Sequence, residues 1–298
     1  MKQGIALSVF SSVLFSVLYY YSTVLRPLDG LEIFSWRVLL ALPALALLMS
    51  RGRVWGEVFG VVRRLRLEWC LLGLLMVSAA LIGVQLWLFM WAPLHQMALD
   101  VSLGYFLLPL VMVLVGRLFY RERLSTVQWV AVGVAALGVA HELYRVDAFS
   151  WATVVVIAGY PPYFMLRRVL RIGSLASLWF DMLFLAPVAV FFLLTQGAGV
   201  VENFYSHPRL LGLVPLLGLI SSVALVCYIG ASRMLPLGLF GILGYVEPVL
   251  LFWVALLFLN EEMAPGAWFT YIPIWIAISL IVAEGLLAWV REVRGQRG

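Results

Sequence analysis

Ten apolar runs, separated by short breaks rich in arginine, proline or glycine, pattern this chain from end to end. Their approximate spans are 3–23, 30–50, 69–91, 97–118, 125–142, 149–167, 174–195, 209–232, 236–259 and 266–289. A helix crossing hydrocarbon needs roughly 20 apolar residues, with every backbone polar group bonded within the structure. Each run therefore predicts a transmembrane helix. Barrel strands would alternate apolar and polar residues in segments of about ten, and no such alternation occurs. The first run lacks a small-residue cleavage site at its end and is expected to be a retained helix, not a signal peptide.

Composition agrees with an all-α polytopic membrane protein. Of 298 residues 64% are hydrophobic and 12% charged, and the mean hydropathy of +1.04 leaves too little polar surface for a soluble globule. The two cysteines, Cys70 and Cys227, lie in or beside apolar runs and form neither a disulfide framework nor a metal-spaced cluster. No cofactor, metal or nucleic-acid partner is expected, and the sequence leaves the oligomeric state open.

The net charge of +5 is unevenly placed. With the N-terminus in the cytoplasm, sixteen of the twenty cations fall inside, among them Arg51, Arg53, Arg63, Arg64, Arg66, Arg117, Arg121, Arg123, Arg167, Arg168 and Arg171. Arg26, Arg145 and Arg209 fall outside, and Arg37 lies within the second span. This positive-inside bias places both termini in the cytoplasm and makes anionic lipid the partner of most of these arginines.

Pro109, Val115, Phe119, Glu122 and Trp129 recur 139 residues later as Pro248, Val254, Phe258, Glu261 and Trp268. A second echo, at offset 144, sets Arg37 and Pro43 against Asp181 and Pro187. Five helices separate the copies, so the second inserts upside down. Residues 1–145 and 146–298 thus read as two inverted five-helix repeats packed in one transmembrane domain, with His141 to Ser150 as the boundary. Such repeats characterise secondary transporters that bind solute near the midplane.

Polar residues inside the spans are the candidate machinery. Glu247 falls near the midplane, where a central acidic residue costs about 2.5–3.5 kcal/mol and faces a cavity or a partner. It serves either proton coupling or the binding of a cationic substrate group, or else is a neutral carboxyl hydrogen-bonded to a neighbouring helix. Gly238, Gly241 and Gly244 precede Glu247 and Pro248, which makes the ninth span the expected broken helix. Pro109 marks the matching position in the fourth. Arg37 and Asp181 lie at matching depths from opposite faces and are candidate gates; for Arg37 the alternative is to snorkel toward the interface. Gln85, Asp100, Tyr105 and Tyr245 add polar groups, and Trp36, Trp87, Trp91, Trp179 and Trp253 are candidates for an aromatic cavity. His95, His141 and His207 are assigned to outer loops. Zincin, dinucleotide-fold and nucleophile-elbow patterns are missing, so an enzyme is not expected.

Ile82 to Ala92 (IGVQLWLFMWA), His95-Gln96-Met97, Ser102-Leu103-Gly104-Tyr105-Phe106, Pro109-Leu110, Arg121-Glu122-Arg123 and Gln128-Trp129 together resemble the RarD proteins, of the EamA branch of the drug/metabolite transporter superfamily. Glu32-Ile33 with Arg37, and Asp181 with Pro187-Val188-Ala189, extend the resemblance over nearly the whole chain. It implies ten helices in two inverted EamA repeats, a bacterial inner membrane and export of small molecules. RarD proteins are described as predicted chloramphenicol permeases, and relatives in the superfamily export amino acids and other metabolites. The chain departs from the pattern at Gln85 and Leu108, where asparagines are expected, at Gly244 before Tyr245, where a glutamine is expected, and at Glu247, where a small residue is expected. The resulting expectation is export of a small amphipathic solute by alternating access, with proton exchange through Glu247 as a hypothesis. Uncoupled or uptake transport and a non-transporting scaffold or sensor are the alternatives.

Overall fold

The computed structural model describes every residue except 1, 52–53, 122, 147–149, 196, 236 and 296–298. The described residues are helical and hold no strand. In chain order the helices are α1 (Lys2–Val24), α2 (Gly30–Arg51), α3 (Trp55–Leu65), α4 (Trp69–Trp91), α5 (Ala98–Tyr120), α6 (Thr126–Val146), α7 (Trp151–Leu170), α8 (Ser174–Thr195), α9 (Gly197–Ser206), α10 (Leu210–Met234), α11 (Leu237–Leu243), α12 (Val246–Leu257) and α13 (Trp268–Gly295). Each predicted span contains a helix, with most boundaries within three residues of the expected ones.

Nine stretches among the described residues are long and apolar enough to cross a membrane. The sixth expected span, α7, is a helix of 20 residues but is not one of them. Tyr160, Pro161, Pro162 and Tyr163 interrupt its apolar run, and Arg167 and Arg168 close it. The chain is a multi-pass membrane protein with large apolar side chains such as Phe10, Leu47, Met76, Val84, Leu219 and Ile276 exposed along the spans. Lipid solvates that surface.

Two short helices were absent from the sequence pattern. α3 is amphipathic: Val58 and Val61 face the core, while Phe59 stays exposed beside Arg63 and Arg64. The Glu57 carboxylate accepts the Gly173 backbone N–H at 2.6 Å, which pins α3 to the α7–α8 turn. α9 lies between α8 and α10. The expected boundary loop from His141 is also shorter, because α6 continues to Val146.

The break in the ninth span is present. α11 ends at Leu243, Gly244 and Tyr245 form a turn, and α12 begins at Val246. Pro248 is then the third residue of α12, in the first turn, where its missing N–H would have no helical partner anyway. The break precedes the proline instead of falling at it. Pro109 stays inside a continuous α5, so the two echoed prolines have different local structures.

Helix packing follows a regular scheme. α1 packs on α10 and α12, α2 on α8 and α10, α4 on α7 and α8, α5 on α7 and α12, and α6 on α13. Along α1, Ser8, Ser11, Ser12, Ser16 and Ser22 are buried. Hydroxyls of Ser11, Ser12, Ser16 and Ser22 return to carbonyls three or four residues back in α1, so the small side chains allow close approach without unpaired polar atoms.

Candidate functional site

Three groups of polar side chains lie at different levels. The central one joins α2, α4, α5, α7, α10 and α12. Arg37 projects from α2 over the Phe89 ring, with its guanidinium carbon 5.3 Å from the centroid, a cation–π contact. The Tyr105 and Tyr160 hydroxyls meet at 2.8 Å, which links α5 to α7. Glu247, in the first turn of α12, interacts electrostatically with Arg37, and Tyr105, Tyr160 and Tyr228 lie within range of its charge. Arg37 also falls within range of both tyrosine pair members.

Arg37, Tyr105, Tyr160 and Glu247 are half-buried. Glu247 is the ninth residue of the stretch 239–257, about 12 Å from its start at 1.5 Å per residue, and so lies near the middle of the span. The Nη1 of Arg37 is buried without a hydrogen-bond partner, and so are the indole nitrogens of neighbouring Trp36 and of Trp87. A buried guanidinium N–H without a partner costs free energy. The cluster offers a cation, an acid, hydroxyls and aromatic faces.

The second group is at Asp181, which is fully buried. One carboxylate oxygen accepts from the Ser78 hydroxyl at 2.8 Å; the other accepts from the Tyr163 hydroxyl at 3.0 Å and from Arg167 Nη1 at 3.1 Å. Arg167 also donates to the Ser174 carbonyl at 3.0 Å. This clasp ties α4, α7 and α8 together. Arg167 therefore has a protein partner beyond the lipid assigned to it from the charge pattern.

The third group is at the opposite end of the helices. Glu261 accepts the backbone N–H groups of Ala98 and Leu99, both at 2.7 Å, and caps α5. Asn260, in the left-handed conformation, turns the chain back from α12 to bring it there. Burial pushes the Glu261 carboxyl above its ordinary range, the two N–H donors pull it down, and the nearby Asp100 charge adds to the rise. Asp100 accepts from the Ser150 hydroxyl at 2.8 Å. Both acids line a pocket of about 460 Å³ with Glu142, Glu262 and Tyr271.

Of the residues singled out from sequence, Arg37, Tyr105 and Glu247 come together. Asp181 and Asp100 belong to the two other groups. Tyr245 packs toward the cluster formed by α5, α6 and α13, and Gln85 donates from Nε2 to the Val155 carbonyl at 2.9 Å. The five tryptophans do not share a cavity: Trp87 and Trp91 pack with Trp151, Trp36 with Phe204, Trp179 with Trp55, and Trp253 is 44% exposed. His141 lies within α6, not in a loop, and its Nδ1 meets the Thr270 hydroxyl at 3.0 Å. Glu122 lies outside the described residues. Tyr160, Tyr163 and Tyr228 were missed, although the Tyr-Pro-Pro-Tyr run in the least apolar span marked two of them. Among the described residues no group of three or more His, Cys, Asp or Glu is arranged to hold a metal ion.

Comparison with known proteins follows this geometry. No family model matches the chain. It is 48% identical over 278 residues to the chloramphenicol-sensitive protein RarD of Pseudomonas aeruginosa, covering 93% of each chain. It is 39% identical over 297 residues to an uncharacterized transporter of Pasteurella multocida, covering 99% of this chain and 100% of the relative. A solved crystal structure shares the fold at 15% identity, with a TM-score of 0.53 over 95% of this chain and 98% of the other.

Proposed function

The chain belongs to the RarD family, and from that premise we propose that this transporter is an inner-membrane exporter of a small amphipathic solute, working by alternating access with proton exchange at Glu247. In this reading α7 is the tenth membrane helix, both termini are cytoplasmic and the halves 1–145 and 146–298 are inverted EamA repeats. The packing scheme supports the repeat. Exchanging the two sets of five helices turns the α1–α10 pair into α7–α4, the α5–α7 pair into α12–α1, and the α4–α8 pair into α10–α2, all of which are present. The α2–α8, α5–α12 and α6–α13 pairs map onto themselves.

The observation that carries the proposal is the place of Glu247, half-buried in the first turn of α12 just after the α11–α12 break and within electrostatic range of Arg37. In an alternating-access cycle a solute bound there would be exposed to one side at a time, with the Asp181 clasp and the Glu261 cap at opposite ends of the path. A chloramphenicol-like or amino-acid-like solute has both the apolar body and the polar groups that this lining can engage.

The experiment is solute flux in reconstituted vesicles with an imposed pH gradient, with chloramphenicol and aromatic amino acids as probes. Saturable flux driven by the gradient is expected in the native protein, and Glu247→Gln should abolish the drive while leaving solute exchange. Gradient-driven flux that survives Glu247→Gln removes Glu247 from coupling. Flux insensitive to the gradient in the native protein leaves an uncoupled permease, and no saturable flux with any probe supports a scaffold or sensor.

A further inference from the structure

Helix α3 lies between Ser50, where one membrane stretch ends, and Trp69, where the next begins, so it sits at the level where the helices leave the bilayer. Val58, Val61 and Leu65 form the stripe that it turns to the protein, against α4 and α8. At about 100° per residue, Phe59 and Val62 fall beside that stripe, in line with Arg66 and next to Arg63. All four are exposed. The helix therefore has two apolar faces side by side, and the protein covers one of them.

The uncovered face has cations to match. Both acids of the segment are engaged: Glu57 holds the Gly173 N–H, and Glu68 pairs with Arg64 at 3.6 Å. Among the described residues Arg63 and Arg66 have no acidic partner. Leu67 and Trp69, 80% and 79% exposed, carry the apolar surface on to the start of α4, and a tryptophan at a span end marks the membrane interface. Apolar side chains flanked by unpaired arginines at this level complement an anionic phospholipid, whose acyl chains meet Phe59 and Val62 while its phosphate meets the guanidinium groups.

The same helix touches the turn that carries the Asp181 clasp. Trp55 meets Trp179 edge to face, with ring centroids 5.3 Å apart, and Trp179 stands two residues before Asp181. Glu57 holds Gly173, next to Ser174, whose carbonyl accepts from Arg167. A side chain at position 173 would strike the Glu57 carboxylate, so the contact is close.

We propose that the outer face of α3 is a docking surface for anionic phospholipid, held by Arg63 and Arg66 over Phe59 and Val62, and that lipid bound there braces the α7–α8 turn beside the clasp. The lipid meets α3 in the pose that Gly173 and Trp179 fix, so by mass action it favours that pose. Neither part rests on the transport reading.

The test places a bimane label at Val62→Cys in the whole chain, with Cys70→Ser and Cys227→Ser, in nanodiscs of phosphatidylcholine and phosphatidylglycerol brominated on the acyl chains of one lipid or the other. Bromine quenches on contact, so the two quenching curves give the relative affinity of the lipids for this face. Both should quench, phosphatidylglycerol should be preferred about fivefold or more, the effect of one arginine at an anionic surface, and Arg63→Gln with Arg66→Gln should abolish the preference. Hydrogen exchange of the native chain reads the brace, and it decides the matter should the labelled chain not fold. The amides of α3 and of Gly173 should exchange about fivefold more slowly in phosphatidylglycerol than in phosphatidylcholine, and the difference should vanish in the double arginine variant. No quenching by either lipid, equal quenching by both, or a preference that survives the double variant overturns the docking surface. Exchange at Gly173 that ignores the headgroup overturns the brace.

Discussion

Asp181 and Arg167 form an ion pair across the α7–α8 turn, 3.1 Å apart, in which the aspartate is wholly buried and the arginine side chain keeps 17% exposure. The asymmetry sets what each substitution does. Arg167→Met leaves a buried carboxylate with only the Ser78 and Tyr163 hydroxyls as donors, and should cost about 3–5 kcal/mol. Asp181→Asn frees an arginine that can snorkel to the interface and keep its bond to Ser174, and should cost about 1–2 kcal/mol, nearer to one ordinary hydrogen bond. Equilibrium unfolding in mixed micelles ranks the two. A larger loss for Asp181→Asn would mean that the clasp is held by its hydroxyl donors and not by charge.

The Arg37–Glu247 interaction should appear as coupling in a double-mutant cycle. Arg37→Met removes the cation over Phe89 and the electrostatic partner of Glu247. Glu247→Gln should then cost less on that background than in the native protein, so the two losses should fall short of additive by about 0.5 kcal/mol or more. Strictly additive losses in thermal unfolding would show that the two side chains do not sense each other.

The spans were legible because hydrocarbon imposes a length and an apolar content on any helix that crosses it, and the ninth span's break was legible because Gly244 and Pro248 stand either side of Glu247. Depth along a span was legible too: Arg37 and Glu247 could each be placed from their distance to a helix end. Facing was not. Helix α4 is apolar all round, so no periodicity tells which side of Gln85 meets a neighbour, and Gln85 went with the midplane group although it clasps the Val155 carbonyl. Arg167 was hidden for a different reason. A cytoplasmic-end arginine fits the positive-inside pattern whether or not it has a partner, and only the fold brings Asp181 to it. α3 escaped because 11 residues with arginines read equally well as a loop.

Glu261 predicts a pH dependence. Its folded carboxyl lies above its ordinary value, so the folded state holds the proton more readily than the unfolded chain, whose glutamates titrate near about 4.3. The stability this adds is present in acid and lost as the pH rises through the folded value. The thermal midpoint of the native protein should fall over that rise more than that of Glu261→Gln. The variant should itself lose about 1 kcal/mol, since one amide oxygen cannot serve Ala98 and Leu99 as two carboxylate oxygens do. Parallel pH profiles for the two proteins would rule this out.

Gly138 tests how closely α6 and α13 approach. A Cβ there would lie 2.6 Å from the Thr270 carbonyl oxygen of α13, a backbone atom that cannot rotate away, with the Ile274 and Pro273 side chains at 3.3 and 3.4 Å. Gly138→Ala must therefore push α6 off α13. That also strains the bonds of the Thr270 hydroxyl to His141 at 3.0 Å and to the Glu142 carboxylate at 2.6 Å. Overpacking of this kind costs about 1–3 kcal/mol. Gly133, on the same helix, has nothing within 4 Å of an added Cβ, so Gly133→Ala should be neutral or stabilising by up to about 1 kcal/mol from helix propensity. Thermal unfolding of the two variants side by side separates packing from propensity. Equal shifts would show that α6 and α13 can part without loss, and that the α6–α13 contact is not a fixed element of the fold.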